Sequence, residues 1–354
     1  VIKLTPEQNG VVEGIIARVE AAGAEPVVIT CGGFAGTGKS TCAGVLKARL
    51  PGFVACAFTG KAAAVLRNKG MSARTIHSLI YNPGEDPDTG KPAFLLKDHL
   101  SVDGFLVDEA SMVAFEQDVD LKSFKKPIIY IGDHGQLEPV SRDPGLMRNP
   151  EFRLETIHRN AGEIAFFAQH LRLSHLAHDY QAKSKVTLLP SHSAVTDEML
   201  LSVDQVICAF NRTRCEINAR IRRLQNRRDI VAVGERIICL RNNRGYGVFN
   251  GMQGIVEWID YKFNVLSFAA EDGSVYDDIP FDPNAFGAER YDVPWSEHAP
   301  IPFDYASCCT CHKFQGSEAS RVLVYEQRCS KWAHERWAYT AASRAKDALI
   351  WACG

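Results

Sequence analysis

The sequence predicts an α/β protein of two lobes built on parallel sheets, with a β-hairpin and a small inserted β-barrel. Three observations carry the layered part of this reading. Short apolar runs alternate with helical stretches. A glycine-rich loop follows the first run and opens a helix. From Gly234 to about Pro300 the pattern changes to short strands separated by Gly and Asn turns.

The first lobe is expected over residues 1–150. Val27 to Cys31, Val54 to Phe58, Phe105 to Val107 and Ile128 to Ile131 read as buried strands, and Ser40 to Leu50 and Lys61 to Asn68 as helices. In such sheets ligands gather at the carboxyl ends of the strands. Tyr81 to Leu96 breaks the rhythm, because Pro83 to Gly90 is rich in turn formers and has apolar flanks. That predicts a projecting hairpin at about 81–97, with an ordinary surface loop as the alternative. The second lobe is expected over 151–233 and 301–354, with a strand near Val206 to Phe210, a helix from Arg214 to Asn226, and strands at Arg321 to Tyr325 and Leu349 to Trp351. The barrel is expected over 234–300.

Composition narrows the function. A chain of 354 residues, 46% hydrophobic, is too long for one typical core. A net charge of −2 gives no global basic field, so any nucleic-acid site must be a local groove. No apolar run approaches the roughly 18 residues of a membrane span. Val1 to Gln8 does not read as a signal peptide, and the absence of an initiating Met points to a trimmed or processed chain. An odd count of 11 Cys, scattered through apolar segments, suits reduced thiols and a cytoplasmic location. Cys308-Cys309-Thr310-Cys311-His312 matches a haem-attachment pattern, but nothing suggests export and a chance match is preferred. His175 and His178 lack partners at metal spacing and read as helix-surface residues.

The chemistry begins at Gly33-Phe34-Ala35-Gly36-Thr37-Gly38-Lys39-Ser40, a complete P-loop in the strand–loop–helix context that confirms it. Gly36, Thr37 and Gly38 let backbone N–H groups turn toward phosphate oxygens, and the helix N-terminus adds partial positive charge. Lys39 reaches the β- and γ-phosphates of ATP, and the Ser40 hydroxyl ligates Mg²⁺. Phe105-Leu106-Val107-Asp108-Glu109 then delivers two carboxylates from a strand end. Asp108 suits Mg²⁺ and Glu109 suits polarising the attacking water. Gln136, in Gly132-Asp133-His134-Gly135-Gln136, can touch the γ-phosphate or orient water, or sit on a plain surface turn. Arg159 and Arg344 are candidate fingers for transition-state charge, although an isolated Arg is usually a surface charge.

The order of these motifs resembles superfamily 1B (RecD-like) helicases, closest to the Dda-type phage helicases, across nearly the whole chain. Leu4-Thr5-Pro6-Glu7-Gln8 resembles the adenine-reading Q motif, which assigns Gln8. Gly33 to Thr41 is motif I, adding Thr41 to the nucleotide site. Ala57 to Ala63 and Thr75 to Leu79 are similar to motifs Ia and Ib, which line the DNA groove; this implies contacts from Phe58, Thr59, Lys61 and His77. Asp108 to Met112 is motif II, Gly132 to Leu137 motif III, and Arg159 falls in motif IV. Thr310 to Glu318 is similar to motif V, which implies DNA contacts from Thr310, His312 and Lys313 and nucleotide coupling through Gly316 and Glu318. Tyr339 to Arg344 is motif VI, making Arg344 the finger. Phe249 to Val256 looks like the family's inserted SH3-like β-barrel. The hairpin sits where the family has its strand-separating pin, with Phe94 as the wedge. Phe58 and Glu138 stand where the family usually has Pro. The segment before motif V is shorter than in Dda, which puts a tower-like contact with the pin in doubt.

The resemblance implies two RecA-like P-loop lobes with parallel sheets and an ATP-dependent monomeric motor with ATP between them, gripping single-stranded DNA with Asn211 among the contacts and moving 5′→3′ into duplex junctions. It implies work in DNA replication or repair, single-strand-binding or replication proteins as partners, and a bacterial host cytoplasm if phage-encoded. The rival readings are a translocase or protein remover that does not unwind, and an RNA helicase.

Overall fold

A computed structural model describes residues 3–23, 25–85, 92–138, 143–158, 162–243, 245–271, 273–294, 296, 299–330 and 332–354. The chain forms two compact units, Val1–Ala165 and Phe166–Gly354.

In the first unit, helix α1 (Pro6–Ala22) leads to strand β1 (Val28–Gly33), helix α2 (Lys39–Arg49), β2 (Phe53–Ala57), α3 (Gly60–Asn68), β3 (Ala73–Thr75) and α4 (Ile76–Ile80). The hairpin strands β4 (Tyr81–Glu85) and β5 (Pro92–Leu96) follow, then β6 (Gly104–Asp108), α5 (Phe115–Ser123), β7 (Ile128–Gly132) and β8 (Phe152–Leu154). The sheet order is β3-β2-β6-β7-β1-β8, and every pairing is parallel. Side chains alternate across it, as the two-residue period of a strand requires. Ile129 and Ile131 pack with Val12, Ile15 and Leu46 of α1 and α2, while Ile128 and Tyr130 pack with Leu79 and Leu121 of α4 and α5. Both faces are therefore covered, which is why these strands read as continuous apolar runs.

The hairpin is present: β4 and β5 pair antiparallel, with Tyr81 opposite Leu96 and Pro83 opposite Phe94. The turn residues 86–91 lie outside the described residues. One boundary is corrected. The first unit runs to Ala165, not to 150, because β8 pairs with β1 and completes the first sheet. A three-residue strand, Phe152-Arg153-Leu154, is too short to show a period in sequence.

The second unit contains most of helix α6 (Gly162–Arg172), then β9 (Val186–Leu189), α7 (Asp197–Ser202), β10 (Gln205–Cys208) and α8 (Asn211–Leu224). The barrel strands are β11 (Arg236–Cys239), β12 (Gln253–Asp260), β13 (Val265–Ala270), β14 (Val275–Asp282) and β15 (Ile301–Tyr305). The chain closes with β16 (Cys308–Thr310), β17 (Ala319–Tyr325), helix α9 (His334–Ala342) and β18 (Ala345–Ala352). Its parallel sheet has the order β16-β10-β17-β18-β9. The five barrel strands close on themselves around Val256, Leu266, Phe268, Phe281 and Phe303.

Three expectations change here. The barrel extends past 300, since β15 pairs antiparallel with β11. Helix α8 starts at Asn211 rather than Arg214, which puts Asn211 in its first turn. His175 is on the surface but past the end of α6 at Arg172, while His178 is exposed on a one-turn 3₁₀ helix.

Helix α8 joins the barrel to the sheet. Buried Arg214 pairs with buried Asp304 of β15 and donates to the Ala288 carbonyl at 2.7 Å. Buried Asn218 donates to the Cys308 carbonyl at 2.9 Å and accepts from the Cys308 N–H at 2.8 Å. One side chain thus holds the strand that carries Thr310. Replacing Asn218 by Leu leaves both Cys308 groups without that partner and is expected to cost about 1–3 kcal/mol. Chemical denaturation of the full chain, with hydrogen exchange read at β16, checks this. Unchanged exchange there contradicts it.

Candidate functional site

Strand β1 ends at Gly33, and the chain turns through Phe34 to Gly38 into α2. Gly38 caps that helix in the left-handed region, at φ +87°, with no side-chain cap. The first N–H groups of α2 are thus left for an anion. The positive φ requires glycine at this position, and a β-carbon there would stand 2.2 Å from Gln8 Nε2 and displace that amide. Gly36 also has positive φ, +81°. Thr37 is buried, and its hydroxyl donates to the Phe34 carbonyl at 2.8 Å. Lys39, Ser40 and Thr41 open α2.

The Lys39 ammonium donates to the Gly33 and Phe34 carbonyls at 2.8 and 3.0 Å, and to Asp133 Oδ2 at 3.3 Å. Asp133 is almost fully buried and also accepts from the Gly135 N–H at 3.0 Å and Gln136 Nε2 at 3.3 Å. Gln136 is itself buried, not on a surface turn. Asp133 therefore connects Lys39 to Gln136. No role was assigned to Asp133 from sequence, although its place just after an apolar strand, three residues before Gln136, was a usable signal.

Gln8 sits in a capping box with Thr5: each side chain meets the other residue's backbone N–H, at 3.0 and 3.3 Å. Its Nε2 donates to the Thr37 carbonyl at 3.1 Å and lies 2.8 Å from His158 Nε2. The His158 N–H donates to the Gly36 carbonyl at 3.2 Å. His158 was also missed from sequence; only its place beside Arg159 marked it. Arg159 itself lies outside the described residues.

Asp108 ends β6, and the Glu109 N–H donates to its Oδ1 at 3.0 Å. Burial raises the pKa of Asp108, opposed by that N–H and by the Lys39 charge. A divalent cation beside it would restore the ionised form. Glu109 adopts a left-handed backbone, φ 54°, uncommon for a non-glycine residue. Ser40 and Asp108 supply hard oxygen donors, the chemistry that suits Mg²⁺. No three His, Cys, Asp or Glu side chains cluster for a metal among the described residues.

On the same unit, Thr59 caps α3 through its Oγ1, which accepts from the Ala62 N–H at 3.1 Å, and half-buried Phe58 precedes it. Lys61 lies in the first turn of α3. The His77 ring meets Phe94 edge-on at 4.2 Å and Tyr81 at 4.9 Å. Phe94 remains 41% exposed on the hairpin.

The second unit holds its candidates around β16. Thr310 is buried, and its Oγ1 accepts from the N–H of exposed Lys313 at 3.4 Å. His312 lies 5.1 Å from Trp332, ring to ring, and Trp332 lies 6.2 Å from Phe210. Burial lowers the pKa of His312 and favours the neutral ring. Trp332 was not read from sequence. Asn211 is exposed and accepts from Arg214 Nε at 3.3 Å. Cys308 and Cys311 are buried, and burial pushes the Cys311 thiol up to about 12, so neither is a reactive thiol. Gly316 has φ +70°, and Glu318 pairs with Lys346 at 3.1 Å. Arg344 is only 4% exposed: its guanidinium donates to the Thr340 and Ser317 carbonyls at 3.1 and 3.2 Å and to Ser343 Oγ at 3.0 Å. It thus joins motif VI to motif V within this unit.

The P-loop with Lys39, the strand-end Asp108-Glu109 pair and buried Gln136, which donates to Asp133, together define a P-loop ATPase. Residues 3–197 match the model of the AAA domain family, and residues 305–351 match that of the UvrD-like helicase C-terminal domain. The chain belongs to the AAA domain family and is an ATP-driven helicase. Its fold is similar to that of solved Pif1 helicases. One structure, concerned with unwinding at forked duplex DNA by two coordinating Pif1 helicases, shares 19% identity at a TM-score of 0.60. A Bacteroides Pif1 bound to single-stranded DNA shares 18% identity at a TM-score of 0.59. Each of these alignments covers 99% of this chain and 92% of the other. Pif1 from Candida albicans shares 18% identity at a TM-score of 0.56, covering 99% and 94%. No curated protein matches the sequence. Among the described residues, no helix is long and apolar enough to cross a membrane.

Two predictions follow from this geometry. Gly38→Ala is expected to abolish nucleotide binding, since the new methyl strikes Gln8 and strains the backbone; binding of a fluorescent ATP analogue measures it. Asp133→Asn removes the charge shared by Lys39 and Gln136 and is expected to lower kcat about 10²-fold, the scale of losing one electrostatic element of a site. Wild-type turnover in that variant contradicts the linkage.

Proposed function

We propose that this chain is a superfamily 1B, Dda-type DNA helicase that moves 5′→3′ along single-stranded DNA and parts the duplex on the hairpin carrying Phe94. The observation that carries the reading is the contact between His77 and Phe94, which joins a motif Ib residue to the hairpin. Similarity to Pif1 structures bound to single-stranded DNA or describing forked duplex supports DNA as the substrate.

In this reading Gln8 reads adenine, helped by His158. Gly36, Thr37, Gly38 and Thr41 hold the phosphates by backbone and hydroxyl groups. Lys39 leaves its carbonyl partners for the β- and γ-phosphates. Ser40 and Asp108 hold Mg²⁺, which when bound neutralises charge on the phosphate oxygens. Glu109 polarises the attacking water, and Gln136 orients it beside the γ-phosphate. Arg344 and Arg159 act as fingers; Arg344 must first exchange its contacts with Thr340 and Ser317. Gly316 and Glu318 couple motif V to the nucleotide. Phe58, Thr59, Lys61 and His77 grip DNA on one lobe, and Asn211, Thr310, His312 and Lys313 on the other. Nucleotide-dependent change of grip gives net stepping only if ATP binds one conformation more tightly than the other. Affinity should fall steeply with salt, because phosphates supply most contacts. We place the protein as a monomer in the cytoplasm, acting in replication or repair beside single-strand-binding or replication proteins.

Unwinding of duplexes with a 5′ or a 3′ single-stranded tail tests the reading. Unwinding of the 5′-tailed substrate alone is expected. Unwinding of the 3′-tailed substrate alone overturns the polarity, and hydrolysis without unwinding of either identifies a translocase. Greater stimulation of hydrolysis by RNA than by DNA would move the substrate to RNA. Phe94→Ala is expected to slow unwinding about ten-fold, or ~1.4 kcal/mol, with DNA-stimulated hydrolysis retained. Unchanged unwinding sinks the wedge.

A further inference from the structure

The barrel is closed, so it offers no free edge on which a partner could add a strand. A partner of the barrel must use an outer face. The register of β12, β13 and β14 defines one. Ile255 pairs with Ala269, and Ala269 with Val275, which makes one row across the three strands. Trp258 pairs with Ser267, whose Oγ accepts from the Asp278 N–H at 3.4 Å, which makes the next. Leu266 and Phe268 alternate with Ser267 and Ala269 on β13 and are fully buried in the core. The alternation turns Ser267 and Ala269 away from the core, although Ser267 is only 6% exposed.

The central strand thus turns small side chains outward, between larger ones on both flanks. That is a shallow trough along β13, covered at Ser267 and flanked by Ile255 and Trp258 on one side and by Val275, Asp277 and Asp278 on the other. Ile255 is 41%, Trp258 48% and Val275 53% exposed. Single exposed apolar residues need no explanation, but an aligned apolar row with an indole in the adjacent row suits a contact surface. The ladder is irregular on both sides of Ser267, at Val256/Trp258 and at Leu266/Phe268. Such bulges re-aim side chains.

Charge selects the occupant. Residues 234–300 contain eleven Asp and Glu against five Lys and Arg, in a chain whose net charge is only −2. Exposed Glu257 adjoins Trp258 in sequence, and exposed Asp277 and Asp278 lie across β13 from it, where the Asp278 N–H meets Ser267 Oγ. Carboxylates repel a phosphate backbone and attract a cation, and an indole face attracts a cation as well.

We propose that the trough along β13 is a docking site for an extended, lysine- or arginine-bearing segment of a partner protein. The cationic side chain lies between Trp258 and the carboxylates of Asp277 and Asp278, and apolar neighbours cover the row from Ile255 to Val275. The proposal is independent of the assignment of the ATP site.

The test titrates the full chain with a short peptide of alternating Val and Lys, and with its Val–Glu counterpart, at physiological salt. Calorimetry reads affinity. The Val–Lys peptide is expected to bind and the Val–Glu peptide not. Trp258→Ala, and separately the double change Asp277→Asn with Asp278→Asn, is expected to weaken binding at least about ten-fold, ~1.4 kcal/mol. Asn tolerates the left-handed backbone of residue 278, φ 53°, so the double variant keeps the fold. ATP hydrolysis should be unchanged in both. Equal binding by wild type and variants overturns the proposal. So does single-stranded oligo-dT binding that is lost with Trp258, which would make the trough a nucleic-acid site. A concentration-dependent dimer in sedimentation that Trp258→Ala abolishes would assign the trough to a second copy instead.

Discussion

The Lys39 ammonium at the end of β1 is the contact on which the rest of the nucleotide site depends. It is held by two carbonyls of its own loop and by buried Asp133. Its charge also lessens the cost of ionising Asp108, which burial otherwise raises. The same Asp133 holds Gln136. Triphosphate binding must compete for Lys39 with all three acceptors. It would thereby alter the surroundings of Gln136 through one shared carboxylate. Sheet geometry makes this possible: β1 and β7 are direct neighbours, so their carboxyl ends bring Lys39 and Asp133 together.

Much of this was legible in the sequence because the chemistry is local. The P-loop, the Asp108-Glu109 pair and the hairpin each sit within one short segment, flanked by strands whose burial on both faces leaves unbroken apolar runs. What was not legible depends on contacts between distant segments. His158 meets Gln8 across 150 positions, and Trp332 meets His312 through a loop with no periodic signal. Strand β8 is three residues long, and β15 directly precedes the motif V strand, so each was assigned to the wrong neighbour. Asp133 was visible as a letter, but its partners were not.

In the second unit a different constraint governs. Arg344, Asn218 and Arg214 are all buried and charged or polar, and each is satisfied by named partners. Burial of such groups without partners would be costly. Here they tie motif VI to motif V, motif V to α8, and α8 to the barrel. The barrel's outer face carries the opposite character, with exposed indole and carboxylates, which separates it from the nucleic-acid chemistry proposed for β16.

The central claim is that one phosphate-binding centre drives a nucleic-acid motor. Its most direct test is steady-state ATP hydrolysis by wild type and Lys39→Ala, each with and without single-stranded oligo-dT. The account predicts hydrolysis that the oligonucleotide stimulates in wild type and that is lost, with its stimulation, in Lys39→Ala. An oligonucleotide-stimulated rate in Lys39→Ala equal to that of wild type would contradict it.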